Sequence, residues 1–333
     1  MAKMLVRRDA LKFMGAGAAA ATGLTLSPPS FADTYPSRPI TMLCAFAPGG
    51  YVDNIARVLA PSLGRIIGQP VNVLDMPGAN GMLGEEYYLR QPDDGYVLLA
   101  DSVVNIIQNI LVQKAPIQYD AFSMINLPAR DYTLVATSAE NNKIKSIGDV
   151  IDALRKDPKH FSIGVAPATP DYVNLTLFAN AIGVDRKQLR LVTADSGPMR
   201  TQLIGNVIDL AFSGGEGFRP LAEQIRPLMV FDQQERAPYK APAVPEVPAL
   251  KSIEYVPGSL RGFACHRSFK EKTPDRYAAV VQAYERTFKD PATVKLLKTQ
   301  SLAYEWYGPD SSNEIYERTY RLMKKYAALL KST

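Results

Sequence analysis

Histidine and cysteine are scarce in this chain: His160 and His266 are the only histidines, and Cys44 and Cys265 the only cysteines, among 333 residues. No Cys/His pair stands at metal-ligand spacing, so a zinc or haem site lacks its donors, and neither a metal nor a cofactor is expected. The same scarcity argues against an exported hydrolase. No Gly-x-Ser-x-Gly elbow is present and no histidine stands in a triad order, so a nucleophile would have no evident base and the chain is not expected to be an enzyme. A basic face is lacking too. The formal charge is +5, but Lys3, Arg7, Arg8 and Lys12 against Asp9 place +3 of it in the first dozen residues. No aromatic-interleaved Lys/Arg stripe follows, which argues against nucleic acid as a partner and against a polybasic membrane contact. Beyond the amino terminus, no apolar run approaches the ~20 residues that cross a bilayer as a helix.

The composition that remains, 47% hydrophobic and 21% charged, is that of a globular protein, and its length suits two domains better than one at ~100–200 residues each. Residues 1–32 read as an export signal. A basic stretch precedes an apolar run over 13–26, and Ser30 and Ala32 supply the small residues of a cleavage site. Arg7-Arg8 followed by Leu11-Lys12 resembles a twin-arginine signal, with a general secretory signal as the alternative. The mature chain is therefore expected in the periplasm, as a monomer. The two cysteines lie in the short apolar runs MLCAF and GFAC. Core packing is the simpler reading of both; a disulfide needs their Cα atoms within about 7 Å.

From residue 39 onward, short β-branched or apolar runs alternate with segments of helical period. Strands are expected over 40–46, 71–74, 96–100, 133–137, 161–165, 189–193, 207–212, 227–231 and 261–265, with 113–127 read as a long loop. Ile55, Val58, Leu59, Leu63, Ile66 and Ile67 form an apolar helical stripe, which Pro61 is expected to kink or divide. The alternation predicts an α/β fold with mainly parallel sheets. The interruptions predict two lobes around a cleft: 33–130 with 262–333, and 131–261.

Three loops carry the candidate chemistry. Ala47-Pro48-Gly49-Gly50-Tyr51-Val52-Asp53 follows the first strand and opens the first helix. A glycine pair there can turn backbone amides toward an anion at the positive end of the helix, while Asp53 suits a first-turn or capping role; a merely structural tight turn is the alternative. The segment Pro77-Gly78-Ala79-Asn80-Gly81-Met82-Leu83-Gly84 has the wrong spacing for a P-loop or a dinucleotide fingerprint and lacks the P-loop lysine, so it reads as a loop entering a helix beside the same cleft. Val165-Ala166-Pro167-Ala168-Thr169-Pro170-Asp171 repeats the strand-to-helix arrangement and offers the Thr169 hydroxyl.

Taken together, YPSRPITMLCAFAPGGYVDNIARVLA, GQPVNVLDMPGANGMLG, PDDGYVLLA, ATPDYVNLTLF, DSGPMRTQLIGNVIDLAFS and APAVPEVPAL resemble the Bug-type substrate-binding proteins of tripartite tricarboxylate transporters. The similarity runs over essentially the whole mature chain. It implies a two-lobed, type II-like periplasmic-binding-protein fold that closes on a small organic acid, aliphatic or aromatic, and passes it to membrane permease subunits. A periplasmic carboxylate sensor feeding a membrane receptor is the alternative. Carried over residue by residue, the first loop is Phe46, Ala47, Pro48, Gly49, Gly50 and Asp53, with Tyr51, also expected at the ligand, and Val52 where Gly and Thr are more usual. The second loop keeps Thr169 and Pro170 but has Ala166, Pro167 and Ala168 ahead of them. Asn105 stands near a position often occupied by His, Ser213-Gly214 replaces an acidic pair, and Arg261 replaces an aromatic residue. An acid lost and a cation gained imply a more anionic ligand or one without an amine. Of Arg130, Arg200, Arg219 and Arg261, each of which also suits a solvated surface, Arg261 is expected to touch it.

Overall fold

The computed structural model describes residues 35–167 and 169–330, all in one compact unit. The expected export signal lies outside the described residues. Ten strands alternate with helices: β1 (Ile40–Cys44), β2 (Val71–Asp75), β3 (Val97–Ser102), β4 (Phe122–Arg130), β5 (Thr133–Ser138), β6 (Ser162–Val165), β7 (Arg190–Thr193), β8 (Leu210–Gly214), β9 (Ile225–Val230) and β10 (Leu260–His266). They form two five-stranded sheets, ordered β2-β1-β3-β10-β4 and β7-β6-β8-β5-β9. The α/β class and the periplasmic-binding-protein architecture are as expected; the sheets, however, are mixed rather than mainly parallel. In each, the strand in fourth place runs against its neighbours: β10 pairs antiparallel with β3 and β4, and β5 with β8 and β9. These are the strands through which the chain enters each sheet after crossing from the other.

Period-two alternation distributes the strand side chains between two packed faces, which is why the strands read as unbroken apolar runs. Met42, Leu98 and Phe263 pack with Ile55, Leu59, Leu63, Val280 and Tyr284, while their neighbours Leu43, Leu99 and Ala264 pack on the other side with Tyr88, Ile107 and Tyr316. The second sheet sorts in the same way, Val135 and Phe212 to one core and Leu134 and Ala211 to the other. Among the described residues no helix is long and apolar enough to cross a membrane.

Two local expectations meet a different outcome, and the cysteines follow the simpler reading. The stretch read as a loop over 113–127 contains the first six residues of β4, an edge strand interrupted in sequence by Asn126 and Pro128. Proline is tolerated at an edge, and Asn126 is buried with its amide donating to the Glu305 carbonyl (3.0 Å) while its oxygen accepts from Tyr307 N (2.9 Å) and Gly308 N (3.2 Å). The first helix, Tyr51–Ile67, is not divided at Pro61; burial of Val52, Ile55, Leu59 and Leu63 holds it against the proline penalty. Cys44 and Cys265 are free and buried. They lie on β1 and β10 with β3 between, so their strands are about 10 Å apart, beyond disulfide reach.

Candidate functional site

The connections between the sheets gather charge. β4 ends at Arg130, the amide of the following Asp131 donates to the Ser259 carbonyl (2.9 Å), and Arg261 faces Ala129 across the antiparallel pair. Glycine makes the approach possible. A Cβ at Gly258 would lie 2.6 Å from the carbonyl carbon of Asp131, and one at Gly262 would lie 2.8 Å from the Cα of Leu127.

A cavity of about 1130 Å³ opens over these segments. Tyr51, Asn80, Asn105 and Gln108 line it from the elements around the first sheet, together with Ser301, Tyr304, Glu305 and Tyr307 from the connection between two carboxy-terminal helices. Thr169, Pro170, Asp171, Ser196, Arg200, Gly214, Glu216 and Arg219 line it from the second sheet's elements.

Of the expected ligand residues, Tyr51, Asn105, Thr169, Pro170 and Arg261 are brought together here. The rest of the first loop is outside the lining: Ala47, Pro48 and Gly49 are exposed, and Phe46 packs against the core. Its glycine amides are already engaged, Gly49 N donating to Asp53 Oδ2 (2.7 Å) and Gly50 N to the Ala47 carbonyl (3.2 Å). Asp53 thus takes the first-turn role its position suggested. Ala166 and Ser213 are buried, and Gly214 reaches the cavity where Ser213 was expected. The Thr169 hydroxyl is the N-cap of helix Pro170–Ala181, accepting from Tyr172 N (3.3 Å) and donating to the Ala166 carbonyl (2.8 Å). Ala168 lies outside the described residues. Asn105 donates to Asn80 Oδ1 at 2.6 Å, which ties the Pro77–Gly84 segment to the cavity wall.

Sequence reasoning missed several lining residues. Arg130, Arg200 and Arg219 were weighed against an exposed surface, yet all three line the cavity, as does Arg236. Their glycine neighbours offered a signal, since Gly217 makes room for Arg200. The segment from Ser301 to Tyr307 offered none, because Asn126, far away in the chain, sets its place.

The charges differ in how far they are already engaged. Arg130 stacks on Tyr307, 3.6 Å from the ring centre, and donates to the Leu127 carbonyl and the Ser311 hydroxyl. Arg219 pairs with Glu216 (2.9 Å) and Arg236 with Asp232 (2.5 Å). Arg200 and Arg261 have no ion pair among the described residues and rest on aromatic faces, Phe218 and Tyr51. Burial raises the carboxyls. Asp171, which accepts the Thr133 hydroxyl at 2.6 Å, is pushed up to about 7, and desolvation also raises Asp131 and Glu216. Burial therefore disfavours the charged form of these three carboxyls, most clearly at Asp171, while five guanidinium groups line the same space, so the interior favours an anion.

No protein-family model matches the chain. Curated relatives do. A UPF0065 protein from the tcbD-tcbE intergenic region of Pseudomonas sp. is 27% identical over 229 residues, covering 68% of this chain and 66% of the relative. BugT of Bordetella pertussis is 32% identical over 202 residues, covering 55% and 56%. The matches therefore span between about half and two thirds of these relatives' lengths. Among solved structures, a TctC solute-binding protein from Polaromonas superposes with a TM-score of 0.76 at 18% identity, over 90% of this chain and all of that one. The periplasmic binding protein BugD gives 0.58 at 22% identity, over 89% and 99%. An R. palustris protein solved with adipate gives 0.61 at 21% identity, over 89% and 99%.

Proposed function

The likeness to BugT in sequence, and to TctC and BugD in fold, bears out the resemblance to Bug-type solute-binding proteins of tripartite tricarboxylate transporters, and from that premise we propose that this protein captures a small organic carboxylate in the periplasm and delivers it to the membrane permease subunits of such a transporter. The observation that carries the reading is the cavity itself, roomy and lined by five arginines whose neighbouring carboxyls are raised by burial. A structural neighbour holding adipate supports a carboxylate of that size. In this reading 33–130 with 262–333 and 131–261 are lobes that close on the ligand as a monomer, hinging where the chain crosses between the sheets. No observation favours the sensory alternative.

The test is a thermal-shift screen of the mature protein against mono-, di-, tri- and aromatic carboxylates, because a ligand at ~100 times its dissociation constant stabilises by about 2.7 kcal/mol. A hit should also reduce the radius of gyration in small-angle scattering. Stabilisation by sugars or amines, with none by any acid, would overturn the proposal.

A further inference from the structure

Arg200 and Arg261 reach one cavity from different sheets, and each is held in the same manner. Arg261 leaves β10 between two close-approach glycines and lies over the Tyr51 ring, 5.1 Å from its centre. Arg200 leaves helix Ser196–Ile204 and lies over Phe218, 5.8 Å from the ring centre. Gly217 leaves room for that position: a Cβ there would stand 2.5 Å from Nη1 of Arg200, and the guanidinium would have to shift. A guanidinium beside an aromatic face keeps its charge and its five N–H donors, a fork that can meet a carboxylate through two parallel bonds.

The other cavity arginines are engaged. Arg219 and Arg236 have carboxylate partners and Arg130 is stacked and bonded to Ser311. Ser196, one helical turn before Arg200, also lines the cavity. Two cations without an ion pair among the described residues, Arg261 near Asp131 and Arg200 near Asp171, thus stand in one cavity of about 1130 Å³, room enough for a ligand with an anionic group at each end.

Resting on the carboxylate reading above, we propose that Arg200 forms a second anion subsite opposite Arg261, with the Ser196 hydroxyl beside it, and that the protein therefore selects dicarboxylates over monocarboxylates of matching skeleton. The Arg261 subsite holds one carboxylate whatever the ligand; the Arg200 subsite supplies the discrimination. A ligand with an uncharged far end leaves Arg200 facing water and gains nothing from it.

The experiment is titration calorimetry on the mature protein with matched pairs: succinate and butyrate, glutarate and pentanoate, adipate and hexanoate, terephthalate and benzoate. In the best-bound pair the dicarboxylate should bind at least about tenfold tighter. Arg200→Gln should bring the two members of that pair together by weakening only the dicarboxylate, Arg200→Lys should restore part of the difference, and Arg190→Gln, at an exposed arginine outside the cavity lining, should leave it unchanged. Monocarboxylates bound as tightly as their partners by the wild-type protein would overturn this inference while leaving the carboxylate reading intact. Equal weakening of both members by Arg200→Gln would overturn it as well. No binding by any acid would overturn the carboxylate reading, and the subsite with it.

Discussion

Arg261 lies over Tyr51, and the Tyr51 hydroxyl accepts the Ala303 amide at 3.0 Å. One tyrosine therefore joins the first helix, the strand that returns from the second sheet and the carboxy-terminal segment that lines the cavity. Removing the charge and removing the support should have different consequences. Arg261→Gln should weaken carboxylate binding by at least about tenfold, the loss of one charge-assisted contact. Tyr51→Phe keeps the ring and loses only the bond to Ala303, so it should lower stability by roughly 1 kcal/mol and change affinity less than about threefold. Calorimetric titration and denaturant melts separate the two. Unchanged affinity in Arg261→Gln would place that side chain outside the ligand contact.

Thr169 makes a different prediction from the one its sequence position suggested. Its hydroxyl is the cap of helix Pro170–Ala181, so Thr169→Val should lower stability by about 1 kcal/mol with only a small change in affinity, and Thr169→Ser should recover it. A large affinity loss in the valine variant at unchanged melting temperature would show the hydroxyl facing the ligand instead.

Stability should depend on pH through buried carboxyls. Glu85, buried and accepting from Asn109 (2.9 Å), is pushed up to about 7, as Asp171 is; Asp101 is raised well above the ordinary range, first by burial and then by Glu85. Between the ordinary carboxyl range and about 7 the folded chain binds more protons than the unfolded one. The stability these groups contribute is thus complete below that range and is lost as pH rises through about 7. His266, lowered by burial, opposes them as a single group. The melting temperature should be higher near pH 5.5 than near pH 8, and Glu85→Gln should flatten part of the slope. A melting temperature that rises from about pH 5.5 to 8 would contradict the assignment.

Export is testable by itself. Replacing Arg7 and Arg8 together by Lys should leave precursor in the cytoplasm if the twin-arginine route carries this chain. Undiminished export of the double variant would point to the general secretory route.

Period and punctuation made most of the fold legible. Every strand expected from an apolar run overlaps a strand of the two sheets; inner strands buried on both faces are apolar along their length, while the edge strands β2 and β7 are only partly buried. β4 was hidden for the same physical reason: Asn126 and Pro128 break its apolar run, and the bonds that satisfy Asn126 come from Glu305, Tyr307 and Gly308, which no local window contains. Pro61 shows packing overruling local preference in the opposite direction, toward order.

The site divides similarly. Tyr51 and Thr169 could be named from their strand-to-helix turns, where a fold of this class presents groups to a cleft, while Asn105 and Arg261 were named from the resemblance to Bug-type proteins. The sequence by itself determined that there would be two α/β sheets, a cleft and scarcely any material for metal or nucleophile chemistry. Only the tertiary structure decided which arginines stand unpaired in that cleft. An arginine's role depends on whether a carboxylate lies within about 4 Å of it: Arg219 and Arg236 find theirs three and four residues away along the chain, at Glu216 and Asp232, whereas Arg200 and Arg261 reach one cavity only because the chain crosses between the sheets.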